Sequence, residues 1–202
     1  MAACARLERA RVPGMREYVP AFATVAVFYD PAALGGEGAF TRAAATVREA
    51  LAELPEEPPA AGRMVEIPVA YGGEMGPDLE EVARQARLGA DEVVSIHAGG
   101  DYLVHMIGFA PGFAYLGGLS ERIAVPRRTT PRAVVPASSV GIGGSQTGVY
   151  PLASPGGWQI IGRTPLRLFV ADRAEPALLR MGDRVRFRAI SPEEFRALAE
   201  GG

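Results

Sequence analysis

Between Val104 and Phe169 the chain gathers the side chains best suited to holding a small ligand. Arg127, Arg128, Arg132 and Arg163 stand among turns with the amide Gln146 and the hydroxyl of Thr147. A guanidinium fork matches a carboxylate through two parallel hydrogen bonds, while an amide or hydroxyl fixes orientation with single ones. Phe113, Tyr115 and Trp158 supply flat apolar walls within the same segment. Loops held by a rigid scaffold and carrying aromatics beside forked cations suit a pocket for a small anionic or amide ligand. Each residue has a plainer use as well. A cluster such as Arg127, Arg128 and Arg132 is more often a solvated or salt-bridged turn than a binding patch, and Phe113 and Tyr115 serve equally as core rings. Arg163 either binds a carboxylate or pairs with Asp172 or Glu175.

Several chemistries are excluded by residue type. The 202-residue chain contains no lysine, which removes a Walker A lysine, a Schiff-base lysine and a lysine base together. The run Gly143 to Gly148 (GGSQTG) therefore reads as a loop presenting Gln146 and Thr147, not as a phosphate loop. Two histidines, His97 and His105, and a single cysteine, Cys4, make no metal-ligand pattern and no disulfide framework, so no metal is expected. His97 shares a helical face with Val93 and Val94, and His105 lies inside an apolar strand, so both read as structural histidines. Ser138, Ser139 and Ser145 lie in glycine- and proline-rich turns without a partner pattern for nucleophilic catalysis. A formal charge of −2 argues against nucleic acid. No stretch approaches the roughly 20 apolar residues that span a bilayer, which with the lone cysteine indicates a cytoplasmic protein.

The elements that must position these residues follow from periodicity and punctuation. Residues 2 to 10 read as a helix, Met15 to Val19 and Ala23 to Tyr29 as strands, and residues 39 to 54 as a helix. Phe40, Ala43, Ala44, Val47, Leu51 and Leu54 form that helix's apolar face. Pro55 to Pro59 stops it, and Met64 to Tyr71 is a further strand. This α-β-β-α-β order matches a ferredoxin-like unit whose first strand is missing, so either the natural chain starts upstream of Met1 or a partner supplies that strand. Asp78 with Glu81 predicts a capping box opening a helix over 79 to 87, with a second helix over 91 to 97. From Tyr102 onward short strands dominate: 102 to 109, around 133 to 135, 148 to 150, 158 to 162 and 166 to 170, then 184 to 190. A last helix is capped by Ser191. Many short strands at even spacing predict a closed or nearly closed β-barrel. The expected organisation is a small α+β domain over 1 to 76, a helical connector over 77 to 100 and a barrel over 101 to 202.

Three stretches carry a family resemblance: GFAPGFAYLGGL, the run PRRTTPRAVVPASSVGIGGSQTGVYPLASPGGWQIIGRTPLRLF, and VAYGGEMGPDLEEVA. They resemble the KipI and allophanate-hydrolase subunit 1 family over about residues 5 to 190. The resemblance implies a ferredoxin-like N-terminal domain followed by a cyclophilin-like β-barrel. It also implies a subunit of an ATP-dependent 5-oxoprolinase, converting 5-oxo-L-proline, ATP and water to glutamate, ADP and phosphate. Such a subunit is inactive alone and acts with a homologous C subunit, plus a third A subunit. No cofactor is expected on this chain, since ATP is used by the complex. Phe113, Tyr115, Arg127, Arg128, Gln146, Thr147, Trp158 and Arg163 are the expected substrate-binding or interface residues, and none is assigned as catalytic. Two other readings come with the family: an inhibitor that binds a sporulation-type histidine kinase, and a subunit of an allophanate- or urea-type amide hydrolase or carboxylase. Prolyl isomerisation follows from the barrel alone and ranks last, because a fold does not transfer an activity.

Overall fold

Strand Met64–Tyr71 decides the architecture. Its residues Ile67 to Ala70 are consecutively buried, as expected of a strand covered on both faces. A computed structural model describes residues 2 to 21, 23 to 52 and 62 to 201, and divides the chain into two compact units, Met1–Ala61 and Gly62–Gly202.

The first unit holds α1 (Ala2–Ala10), β1 (Met15–Pro20), β2 (Val25–Tyr29) and α2 (Ala39–Leu51). β1 and β2 form a two-stranded antiparallel sheet, with Tyr18 opposite Val27 and Val19 opposite Ala26. Cys4 and Leu7 of α1 and Ala39 and Ala43 of α2 are buried. Phe40, expected on the buried face of α2, is 70% exposed. The helix turns its small alanines inward instead, which allows close approach to α1. Leu54 and the stretch Pro55 to Pro59 lie outside the described residues.

The second unit contains β3 (Met64–Tyr71), α3 (Leu79–Ala86), α4 (Ala90–Ala98), β4 (Tyr102–Ile107), β5 (Ala114–Gly117), β6 (Arg132–Val135), β7 (Ser139–Gly143), β8 (Gln146–Val149), β9 (Ser154–Gly156), β10 (Gln159–Arg163), β11 (Arg184–Ala189) and α5 (Pro192–Glu200). Seven strands close into a barrel in the order β10-β3-β11-β4-β5-β8-β7. The β3–β11 pair is parallel, running from Arg184 opposite Met64 to Ala189 opposite Val69, and the other barrel pairs are antiparallel. β3 therefore belongs to the barrel and not to the N-terminal sheet, and the boundary falls at 61/62 instead of 76. The pair β6–β9 forms a separate small sheet.

Alternation fills the barrel. Ile67 and Val69, Tyr102 and Val104, Val140 and Ile142, and Val185 and Phe187 lie two residues apart on their strands and join one buried cluster. Leu79, Val82 and Ala83 of α3 and Val93 of α4 belong to the same cluster, so these helices cover the barrel and are not a connector. Two further expectations change. Gly143 to Gly148 is not an open loop but the tight hairpin between β7 and β8, with Gly143 opposite Gln146. Residues 166 to 170 form no strand, only an isolated bridge between Phe169 and Ala177. Among the described residues no helix is long and apolar enough to cross a membrane.

Candidate functional site

A second buried cluster lies apart from the barrel interior: Phe113, Val135, Tyr150, Trp158 and Ile160, with Tyr115 packed against it. The rings meet edge to face. Phe113 lies 4.8 Å from Tyr115, 5.4 Å from Tyr150 and 5.6 Å from Trp158 between ring centroids, at interplanar angles of 62° to 80°. That geometry sets the positive edge of one ring against the negative face of the next. Gly143 makes room for it, because a Cβ there would sit 2.6 Å from the indole of Trp158.

The cluster opens into a pocket of about 110 Å³ lined by Phe109, Phe113, Tyr115, Arg127, Tyr150, Trp158 and the turn Pro155 to Gly157. Phe109 stands at the pocket with 63% of its surface exposed and a left-handed backbone, φ 71°. A bulky aromatic adopts that conformation only at a cost, and such strain persists where the surroundings enforce it. The Arg127 guanidinium carbon lies 5.8 Å from the centroid of the Trp158 ring, a cation–π arrangement. Burial pushes the Tyr150 phenol above its ordinary value, opposed by a hydrogen bond from the Trp158 backbone and by the charge of Arg127.

The neighbouring arginines are held differently. Asp78, a buried carboxylate, accepts from Arg132 through two bonds of 2.8 and 2.7 Å, from Arg128 at 3.0 Å and from the Ile160 amide at 2.6 Å. Asp78 precedes α3 but makes no capping bond with its side chain, and Glu81 turns to Arg84 and Gln85 instead. The expected capping box is thus absent. A carboxylate with two guanidinium partners and a strand amide is better satisfied than one accepting a single helix N–H. Arg84 and Gln85 hold the Glu81 carboxyl down at about 2.

Arg127 and Arg128 also line a wider polar cleft of about 500 Å³ with Glu81, Gln85, Pro126, Thr129, Thr130 and Gln159. Arg127 belongs to both cavities, so it marks their junction.

The structure brings together Phe113, Tyr115, Arg127 and Trp158, with Arg128 beside them. The other three expected residues do not line either cavity. Thr147 is fully buried inside the barrel, donates to the Gly141 carbonyl at 2.9 Å and lies 2.8 Å from Nε2 of His97. Because the Thr147 proton goes to a carbonyl, His97 donates through Nε2–H, and its Nδ1 accepts from the Tyr71 hydroxyl at 2.8 Å. Desolvation pulls the His97 pKa down to about 3, keeping it neutral, and its ring stacks 4.5 Å from Phe187. His97 is a structural residue, as its helical face predicted. Arg163, at the far end of β10 from Gln159, donates its Nε to the Ala137 carbonyl, and Glu175 pairs with Arg180. Gln146 begins β8 beyond the hairpin turn. Phe109, Tyr150, Asp78 and Gln159 were missed by sequence reasoning. Only the GFAPGF turn gave a local sign of Phe109, while Asp78 and Gln159 reach the site through non-local pairing.

The matches to known proteins agree with this architecture. Residues 1 to 179 match the carboxyltransferase domain, subdomain C and D, and the chain belongs to that family, which includes the KipI and allophanate-hydrolase subunit 1 proteins. It is 50% identical to the 5-oxoprolinase B subunit of Bacillus subtilis (strain 168), over 98% of this chain and 85% of that protein. A crystal structure of a conserved uncharacterized protein from Pyrococcus horikoshii superposes with a TM-score of 0.64 at 42% identity, covering 96% of this chain and 87% of that one. The urea carboxylase of Kluyveromyces lactis shares the fold at 20% identity, with a TM-score of 0.74 over 98% of this chain and 20% of that one.

Proposed function

We propose that this chain is a subunit of an ATP-dependent 5-oxoprolinase and contributes a binding pocket for the 5-oxo-L-proline ring. The observation that carries the reading is the 50% identity, across nearly the whole chain, with a 5-oxoprolinase B subunit. The pocket supports it chemically. A volume of about 110 Å³ suits a five-membered lactam, and the rings of Phe109, Phe113, Tyr115 and Trp158 would exclude water from its faces. Asp78 pairs with both Arg128 and Arg132, whereas Arg127 makes no ion pair among the described residues. Arg127 is therefore the cation available to a ligand carboxylate, and Trp158 preorganises it. Arg128 borders the site, and Gln146 and Arg163 remain candidates for contact with a partner subunit.

In this reading the barrel is of the cyclophilin-like kind and the protein is cytoplasmic. The chain acts with a homologous C subunit, plus a third A subunit, and ATP is consumed by the assembly. Its own residues bind and orient the lactam, and the nucleotide is handled by a partner. The test is ATP-dependent glutamate release from 5-oxoproline by this chain alone, by the partner subunits alone and by the full mixture. Activity confined to the full mixture is expected. No activity in any mixture of folded subunits would overturn the reading.

A further inference from the structure

Two buried polar atoms at the polar cleft lack partners: Oε1 of Gln159 and Nε of Arg128. Gln159 is almost wholly buried and its Nε2 donates to the Pro126 carbonyl at 3.2 Å, which fixes the amide so that Oε1 is the end left over. A flipped amide would set two carbonyl oxygens together, so the orientation follows from the hydrogen bonding. Arg128 commits Nη1 to Asp78 and its backbone amide to Gly157, leaving the Nε–H donor unused. One cleft wall thus holds an unmatched acceptor and an unmatched donor, each costly to leave buried.

The rest of the lining is rich in donors. Arg127, Thr129 and Thr130 are available on it, and the Glu81 carboxylate is engaged by Arg84 and Gln85. The lining itself sets Arg127 and Arg128 against one carboxylate, Glu81, and Asp78 behind it divides its single charge between Arg128 and Arg132, a surplus of positive charge. Many donors with one acceptor complement an oxyanion that keeps a proton. Inorganic phosphate near neutral pH has a P–OH; sulfate has none, and a phosphomonoester loses its own above a second pKa of about 6.

We propose that this cleft is a subsite for free inorganic phosphate, with Arg127, Arg128, Thr129 and Thr130 donating to its oxygens and Gln159 Oε1 accepting from its P–OH. The proposal rests on the oxoprolinase reading, in which phosphate is a product, and places the phosphate on the far side of Arg127 from the lactam. Both orphan atoms lie beneath the cleft surface, so binding includes an outward movement of the exposed Thr129–Thr130 turn that leaves the Pro126 carbonyl on Gln159.

The full chain serves for the test, because Trp158 is its only tryptophan and Arg127 lies over that ring. Phosphate, sulfate and methyl phosphate are titrated at pH 7.5, read by Trp158 fluorescence and by calorimetry, with 5-oxoproline titrated separately. Saturable phosphate binding is expected, with sulfate and methyl phosphate weaker by about tenfold. Gln159→Met should abolish that preference, and the exposed-site variant Arg127→Gln should weaken phosphate without disturbing the fold. Equal binding of phosphate and sulfate, no saturation by phosphate, or a preference that survives Gln159→Met in a folded protein would each overturn the proposal. A crystal structure showing one buried water satisfying both orphan atoms, with phosphate elsewhere, would do the same. Because 5-oxoproline binding and glutamate release are scored independently, failure of the phosphate site is distinguishable from failure of the oxoprolinase reading.

Discussion

Asp78 grips Arg132 through both carboxylate oxygens, at 2.8 and 2.7 Å, while its Oδ2 also takes the Ile160 amide at 2.6 Å. One side chain thereby ties the start of α3 to strands β6 and β10, next to the aromatic pocket. Replacing Asp78 by Ala leaves two guanidinium groups and a strand amide without their common acceptor. A loss of about 3 kcal/mol is expected, as for a buried pair deprived of one member. Urea unfolding measures it, and a loss below about 1 kcal/mol would place the linkage among ordinary surface pairs.

Arg127 and Arg163 separate binding from stability. Arg127→Gln should weaken 5-oxoproline binding by at least about tenfold, the worth of a charge-assisted contact, with an unchanged melting temperature. Arg163→Ala removes the donor to the Ala137 carbonyl, so it should lower stability by about 1 kcal/mol and leave the fluorescence titration intact. The reverse pattern would move the ligand to the other end of β10.

Phe109 and Phe113 form a second contrast. Phe113 is buried among four rings, and Phe113→Ala should destabilise by about 3–5 kcal/mol. Phe109→Gly relieves a left-handed backbone but loosens the unfolded chain and removes the edge contact with Phe113 at 5.4 Å, three effects of about 1 kcal/mol each. A loss of only about 1 kcal/mol combined with weakened ligand binding is the expected result. Unchanged binding would mean that the strained ring has no part in the pocket.

His97 sets a pH dependence. Its folded pKa of about 3 lies below the ordinary 6.5, so the unfolded chain takes up a proton first as pH falls. Its contribution is complete above about pH 6.5 and is lost progressively down to about pH 3, at up to ~1.4 kcal/mol per pH unit. Urea midpoints measured between pH 7.5 and 4.5 should fall, and His97→Gln should flatten that slope. Thr147→Val, which leaves Nε2–H unpaired, should cost about 1–3 kcal/mol without changing ligand binding.

The barrel was legible because its strands are short, evenly spaced and separated by glycine and proline. The His97 role was legible because Val93 and Val94 share its helical face. What escaped depends on pairing across long separations. Met64–Tyr71 looks the same whether it joins a neighbouring sheet or, as here, lies beside Arg184–Ala189. Asp78 has a helix-capping sequence context, yet arginines 50 and 54 residues later take its oxygens from the helix. Thr147 and Gln146 are adjacent in a glycine-rich run, and only strand alternation sends the first into the core. Gln159 offered no local sign, since its significance lies in an oxygen left without a partner.

The parallel seam between β3 and β11 has a consequence for the order of events during synthesis. β11 sits between β3 and β4, so the barrel cannot close until residues 184 to 189 have emerged from the ribosome. Until then β3 and β4 each present a bare edge, although every strand of the pocket wall has already been made. High contact order of this kind slows folding, and a nascent chain paused before β11 is the species most in need of a chaperone.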